Sequence, residues 1–101
     1  MGIIIMDLPI NYNTATWQER KAARLQYIEQ QGGDCYHCKM PLKGPPRIDV
    51  LLLKINWRLF PGGEQGFLKY PVHLHHNHST GKTIGAVHAL CNAVLWQYHN
   101  E

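Results

Sequence analysis

Two pairs of metal-binding residue types at one spacing constrain this chain more than anything else in it. Cys35-Tyr36-His37-Cys38 and His88-Ala89-Leu90-Cys91 each set two possible ligands three residues apart, and together they supply four, a Cys₃His set. Thiolates and imidazoles spaced in this way grip one tetrahedral ion. The chain has 101 residues, and a domain of that size buries only about 60–65% of the surface its unfolded form exposes. A metal staple therefore supplies stability that a thin core does not. Three cysteines cannot pair completely, which argues against a disulfide framework and for a reducing compartment. All four tetrahedral positions would be filled by protein, so the zinc is structural and catalysis must be sought elsewhere. On the opposing view, Cys91 is a small buried hydrophobe and His88 an ordinary helix residue, and the matched spacing is coincidence.

Ten Lys and Arg against seven Asp and Glu give a formal charge of +3, a mild excess that tolerates a polyanion without demanding one. The apolar opening Met1-Gly2-Ile3-Ile4-Ile5-Met6 has no basic n-region and runs at once into Asp7 and Pro9, so it is neither a signal peptide nor a membrane span. Met6 stands where a myristoylation signal needs Ser or Thr. The expected location is the cytoplasm, with no membrane partner.

Along the chain, residues 1–13 read as an irregular arm of a single domain spanning 1–101. A helix is predicted over 14–33: Thr16-Trp17-Gln18-Glu19 is a capping box, Trp17, Ala22, Leu25 and Ile28 recur near helical spacing, and Gly32-Gly33 ends the segment. Its polar side carries Arg20, Lys21 and Arg24, a solvated face or a phosphate-facing one. The region 35–91 is then expected as a zinc-stapled hairpin. Leu51, Leu53, Ile55, Trp57 and Leu59 alternate with polar residues, the period of a half-buried strand, and Phe67–His76 is extended enough to return beside it. Gly81 and Gly85 bracket a loop, and a terminal helix is expected over 86–100 on the face Val87, Leu90, Val94, Leu95 and Tyr98.

Val72-His73-Leu74-His75-His76-Asn77-His78 concentrates four imidazoles within six residues. Imidazole serves both as metal ligand and as proton acceptor. Consecutive His75 and His76 at a strand end can point apart, one toward a divalent ion and the other toward a water attacking a phosphate. Asn92 directly follows Cys91, so the zinc knuckle would hold its amide oxygen facing the hairpin as a further ligand. Standing alone, the run could equally be a His-rich surface stretch.

With these residues together, the chain resembles the HNH superfamily, most closely the phage recombination endonuclease VII group. The likeness lies in a helix leading into Cys35-x-x-Cys38, a strand ending in the His-rich motif, Gly81-Lys82, and a second knuckle ending in Cys91-Asn92-Ala93. It implies an α+β fold: a small zinc-stabilised ββα-metal (His-Me finger) domain with an N-terminal helix, a β-hairpin and a C-terminal helix. It also implies that His75 and Asn92 hold a catalytic divalent ion, that His76 is the general base, and that His78 contacts phosphate or assists proton transfer, the two histidines being able to exchange roles. Members of the group show Asp-His-Asp-His where this chain has His75-His76-Asn77-His78. Imidazole in place of a carboxylate shifts preference from Mg²⁺ toward Mn²⁺, Co²⁺, Ni²⁺ or Zn²⁺. His88 stands where the group usually has Cys, a change zinc tolerates. Trp57, Arg58 and Pro61-Gly62-Gly63 read as an insertion peculiar to this chain.

The resemblance implies a metal-dependent, phage-encoded DNA endonuclease, nicking or weakly specific, that makes a single-strand nick or an uncoordinated duplex cut. DNA is its partner, with phage packaging or replication proteins as further candidates and the host cytoplasm as its place. Arg20, Arg24, Lys54, Arg58, Lys69 and Lys82 would hold phosphates without reading bases. His99, seven residues after Asn92 and on the same helical face, is a candidate extra contact. His37 is expected to face solvent and His73 to be structural. The group's long helical dimerisation region has no counterpart, so a monomer is expected rather than an obligate dimer. The competing hypothesis is a non-catalytic zinc module that binds nucleic acid or a phage partner.

Overall fold

The computed structural model of the chain describes residues 6–99. The first five residues of the expected arm and the end of the expected terminal helix at residue 100 lie outside the described residues. Within them the order is α1 (Trp17–Gln30), α2 (Ile48–Leu51), a 3₁₀ turn (Trp57–Leu59), α3 (Gly63–Phe67), β1 (Val72–His76), β2 (Thr83–His88) and α4 (Ala89–His99). This is a small α+β arrangement whose sheet is one antiparallel pair, β1 with β2.

The first helix starts at its capping box and stops short of its glycines, inside both ends of the expected 14–33. Thr16 Oγ accepts from the Glu19 N–H at 3.2 Å and Glu19 Oε1 accepts from the Thr16 N–H at 2.9 Å, a closed capping box. At the other end Gly32 and Gly33 take φ of 68° and 83°. Their N–H groups reach back to the carbonyls of Glu29 and Ile28, a Schellman closure. The buried face differs from the expected one. Ala23 and Tyr27 go into the core, while Trp17 and Leu25 stay exposed. Tyr27 is drawn in because its hydroxyl has a buried partner, Thr83 Oγ1 at 2.9 Å.

The strand expected over 51–59 is not formed. Ile48–Leu51 is a helical turn, Leu51, Leu52 and Leu53 are exposed, and Trp57–Leu59 is a 3₁₀ turn capped by the Asn56 side chain. The physical reason is the missing ladder. The backbone here finds its partners on α4 instead: Asn56 N–H donates to Gln97 Oε1, and the Lys54 carbonyl accepts from Gln97 Nε2 and from the Tyr98 hydroxyl. Phe67 likewise closes α3 rather than opening a strand.

The true partner of β1 is the segment expected as a loop and the first turn of a helix. β2 runs Thr83 to His88, with Val72 opposite His88 and His75 opposite Gly85. Nearly every residue of β2 is buried, so it carries no alternation to read. The helix accordingly begins at Ala89, and Tyr98 on its expected apolar face is exposed. Gly85 lies inside the strand rather than at a loop edge. A Cβ there would meet Gln31 Oε1 at 2.8 Å and Tyr36 at 3.0 Å, because the Gln31 amide pairs with both backbone groups of Ala86. That pairing, with the Tyr36 N–H on the Ala86 carbonyl, seats the first knuckle on the edge of β2.

The core gathers Ala23 and Tyr27 of α1, Leu74 of β1, Ala86 and Val87 of β2, Val94 and Leu95 of α4, and the three cysteines. Residues 6–13 are irregular as expected but well tied down: Gln26 clamps both backbone groups of Met6, and Tyr12 N–H donates to the Gly81 carbonyl at 2.7 Å. Among the described residues no helix is long and apolar enough to cross a membrane.

Candidate metal centre and histidine cleft

The four residues of the two knuckles converge. Cys35 and Cys38 come from the turn after α1, His88 is the last residue of β2, and Cys91 lies in the first turn of α4. Their ligand atoms all lie within 4.8 Å of one another, and all four residues are buried. Metal–sulfur bonds of about 2.3 Å and metal–nitrogen bonds of about 2.0 Å at tetrahedral angles put a sulfur and an imidazole nitrogen about 3.5 Å apart. His88 Nδ1 lies 3.4 Å from Cys38 Sγ and 3.7 Å from Cys91 Sγ. The other ring nitrogen, Nε2, donates to the Pro41 carbonyl at 2.9 Å, which fixes the tautomer and leaves the Nδ1 lone pair facing the sulfurs. Three buried sulfurs in contact also want a cation. A hydrogen bond from Cys91 draws the Cys35 thiol well below its ordinary value, and the same bond, with burial and the charge on its neighbours, pushes Cys91 up. A bound cation would offset the charge of thiolates packed this closely. The cluster is a Cys₃His site that can hold a metal such as zinc.

Asn92 sits one residue beyond Cys91 and faces a different group. Its Nδ2 donates to His73 Nδ1 at 3.1 Å, and its Oδ1 accepts from His75 Nδ1 at 3.3 Å. His73 and His75, two apart on β1, therefore share one partner on α4, as strand alternation requires. His75 is 1% exposed. His76 goes elsewhere: the ladder slips between His75 and His76, passing over Ile84, and His76 opens into a cleft of about 640 Å³ that Asn92 and His73 also line.

In that cleft His76 is sandwiched. Its ring lies parallel to Tyr12, with centroids 3.9 Å apart and planes 6° apart, and to His78 at 4.7 Å. His78 continues the stack to Trp96 at 5.8 Å. At the outer end the Arg20 guanidinium covers Tyr12 at 4.0 Å and donates from Nε to the Tyr12 carbonyl. Burial, then the neighbouring His78, holds His76 down to about 4, so the ring is neutral at pH 7 and keeps a lone pair. Asn77 serves the turn, its Oδ1 accepting from the N–H groups of Ser79 and Thr80.

No family model, curated protein or solved structure matches this chain.

The structure brings His73, His76, His78, Asn92, Arg20 and Arg24 to one cleft, with His75 behind Asn92. Lys54, Arg58, Lys69 and Lys82 do not line it, although Lys69 lies over the ring of Tyr70, which does. His99 is not there either. Its ring is 5.9 Å from that of His37, which is half-buried against it rather than facing solvent. Sequence reading missed Tyr12, which carries no signal in an irregular arm. It also missed Trp96 and Trp17, for which signals exist: Trp96 is four residues after Asn92, and Trp17, Arg20, Lys21 and Arg24 follow i, i+3, i+4, i+7 on one helix face. Trp57, from the stretch that read as an insertion, joins Phe60 and Phe67 in an aromatic cluster, with Phe60 edge-on to Trp96 at 4.6 Å. They buttress the inner end of the stack.

Proposed function

We propose that this chain is a metal-dependent endonuclease of the HNH type, with the ββα-metal arrangement formed by β1, β2 and α4, and that it hydrolyses DNA phosphodiester bonds. The observation that carries this reading is the Asn92 amide held against His75 beside His76, whose stacked ring opens into a cleft lined by cations. A separation of 3.3 Å between His75 Nδ1 and Asn92 Oδ1 suits two ligands of one ion as well as it suits a hydrogen bond. A divalent ion bound there would supply charge for the scissile phosphate and the departing oxygen. The chain's own residues account for the rest. His76 accepts the proton of the attacking water at its lone pair, oriented by Tyr12 and His78 on its two faces. Arg20 and Arg24 hold the phosphate backbone. The Cys₃His cluster, by fixing the first turn of α4, fixes Asn92, so the structural ion acts on the chemistry only through position.

The test is supercoiled plasmid, and separately single-stranded DNA, incubated with Mg²⁺, Mn²⁺, Co²⁺ or Ni²⁺, with His76→Ala protein beside the parent. Metal-dependent conversion to open circle by the parent, reduced at least about a hundredfold in the variant at unchanged zinc content and circular dichroism, is expected. Intact plasmid and intact single-stranded DNA under every condition would sink the reading and leave the cleft as a binding surface.

A further inference from the structure

The helix α1 has two working faces. Ala23 and Tyr27 go to the core, while Trp17, Arg20, Lys21 and Arg24 all border the cleft. Trp17 remains 68% exposed, and Tyr70, which reaches the same cleft from the connection between α3 and β1, remains 65% exposed. Neither ring contributes much to the core, and each stands largely in water beside three cations, Tyr70 with the Lys69 ammonium over one face. Arg20 is held in place by the Tyr12 carbonyl, so its charge is already oriented.

Those features select among nucleic acids. A duplex offers phosphates and base edges but closes its base faces within its own stack, so it would engage the cations and leave both rings idle. A single strand offers a phosphate chain and open base faces together, which is what a cationic groove flanked by exposed aromatics binds, with little regard for sequence. A cleft of about 640 Å³ is of the size that encloses a small organic molecule, enough for an unstacked nucleotide. We propose that the cleft takes single-stranded DNA, with bases stacked on Trp17 and Tyr70 and the backbone held by Arg20, Lys21 and Arg24.

This assignment rests on the nuclease reading of the same cleft, and its test measures binding without turnover so that the two can fail separately. A fluorescein-labelled oligothymidylate and a mixed-sequence duplex of equal length are titrated with His76→Ala protein, followed by anisotropy at several salt concentrations. The single strand is expected to bind on the order of tenfold more tightly than the duplex. Trp17→Ala and Tyr70→Ala should each weaken single-strand binding about five- to a hundredfold and leave duplex binding nearly unchanged, with Trp17→Phe restoring most of the loss. Both rings are exposed, so the variants should keep the parent's circular dichroism. Duplex bound as tightly as the single strand, or unchanged single-strand affinity in both alanine variants, overturns the inference. Plasmid cleavage without single-strand preference would overturn it while the nuclease reading stands. Single-strand binding that depends on the two rings, with no cleavage under any metal, would support it and remove the nuclease reading.

Discussion

Cys91 and Asn92 are neighbours on α4, yet they serve regions built on opposite terms. Cys91 enters a cluster of four buried donors in mutual contact, where each residue is fixed by its own chemistry and none is spare. Asn92 enters an open cleft, where stacked rings and separate cations share the work. The dependence between them is unequal. The cleft needs the cluster, because the cluster fixes the turn that carries Asn92, whereas the cleft lining reaches a cluster ligand through the strand pairing of Val72 with His88. A chain this small gathers its four closely packed donors in one buried group and keeps its cleft open to solvent.

That comparison can be broken from either side. The largest effect is expected of Cys91→Ala. A structural zinc site contributes about 10–16 kcal/mol to folding, against a typical total stability of about 5–15 kcal/mol. The variant should purify without stoichiometric zinc and lack a cooperative thermal transition. A cooperatively folded, metal-free variant would show that the core suffices alone. Next comes Asn92→Ala, which removes two hydrogen bonds of about 1 kcal/mol each. We expect a modest fall in Tm, full zinc content by elemental analysis and loss of plasmid cleavage; loss of zinc instead would mean that the dependence runs both ways. The smallest effect separates cations inside and outside the cleft. Arg24→Ala should weaken DNA binding several-fold and flatten the salt dependence by about one phosphate contact, whereas Arg58→Ala should leave both unchanged. Equal effects would mean that binding is spread over the whole surface.

The two regions also differed in how far they could be read from the sequence. The metal donors were legible because Cys-x-x-Cys and His-x-x-Cys spacings state their chemistry whatever backbone carries them; His88 proved to end a strand rather than to open a helix, and the cluster was unaffected. The capping box and the two glycines of α1 were equally plain, being local. What failed was pairing. Leu51 to Leu59 alternates like a strand, but its backbone is satisfied by Gln97 and Tyr98, some forty residues away. Thr83 to His88 is a strand without alternation because it is covered on both sides. The histidines were visible as a run, but not their distribution. His73 shares Asn92 with His75, and Tyr12 completes the stack, through contacts that depend on the true partner of β1.

The stack between Tyr12 and Trp96 carries a consequence for the order in which the molecule comes into being. Its outer ring is synthesised early and its inner wall more than eighty residues later, after Cys91 has supplied the fourth donor. A nascent chain arrested before α4 would hold three donors and both strands, but would lack Asn92 and Trp96, so the stack that begins at Tyr12 would have no inner wall. No translation product that ends before Trp96 can therefore carry the assembled cleft, and any cutting power the cleft confers waits on that residue.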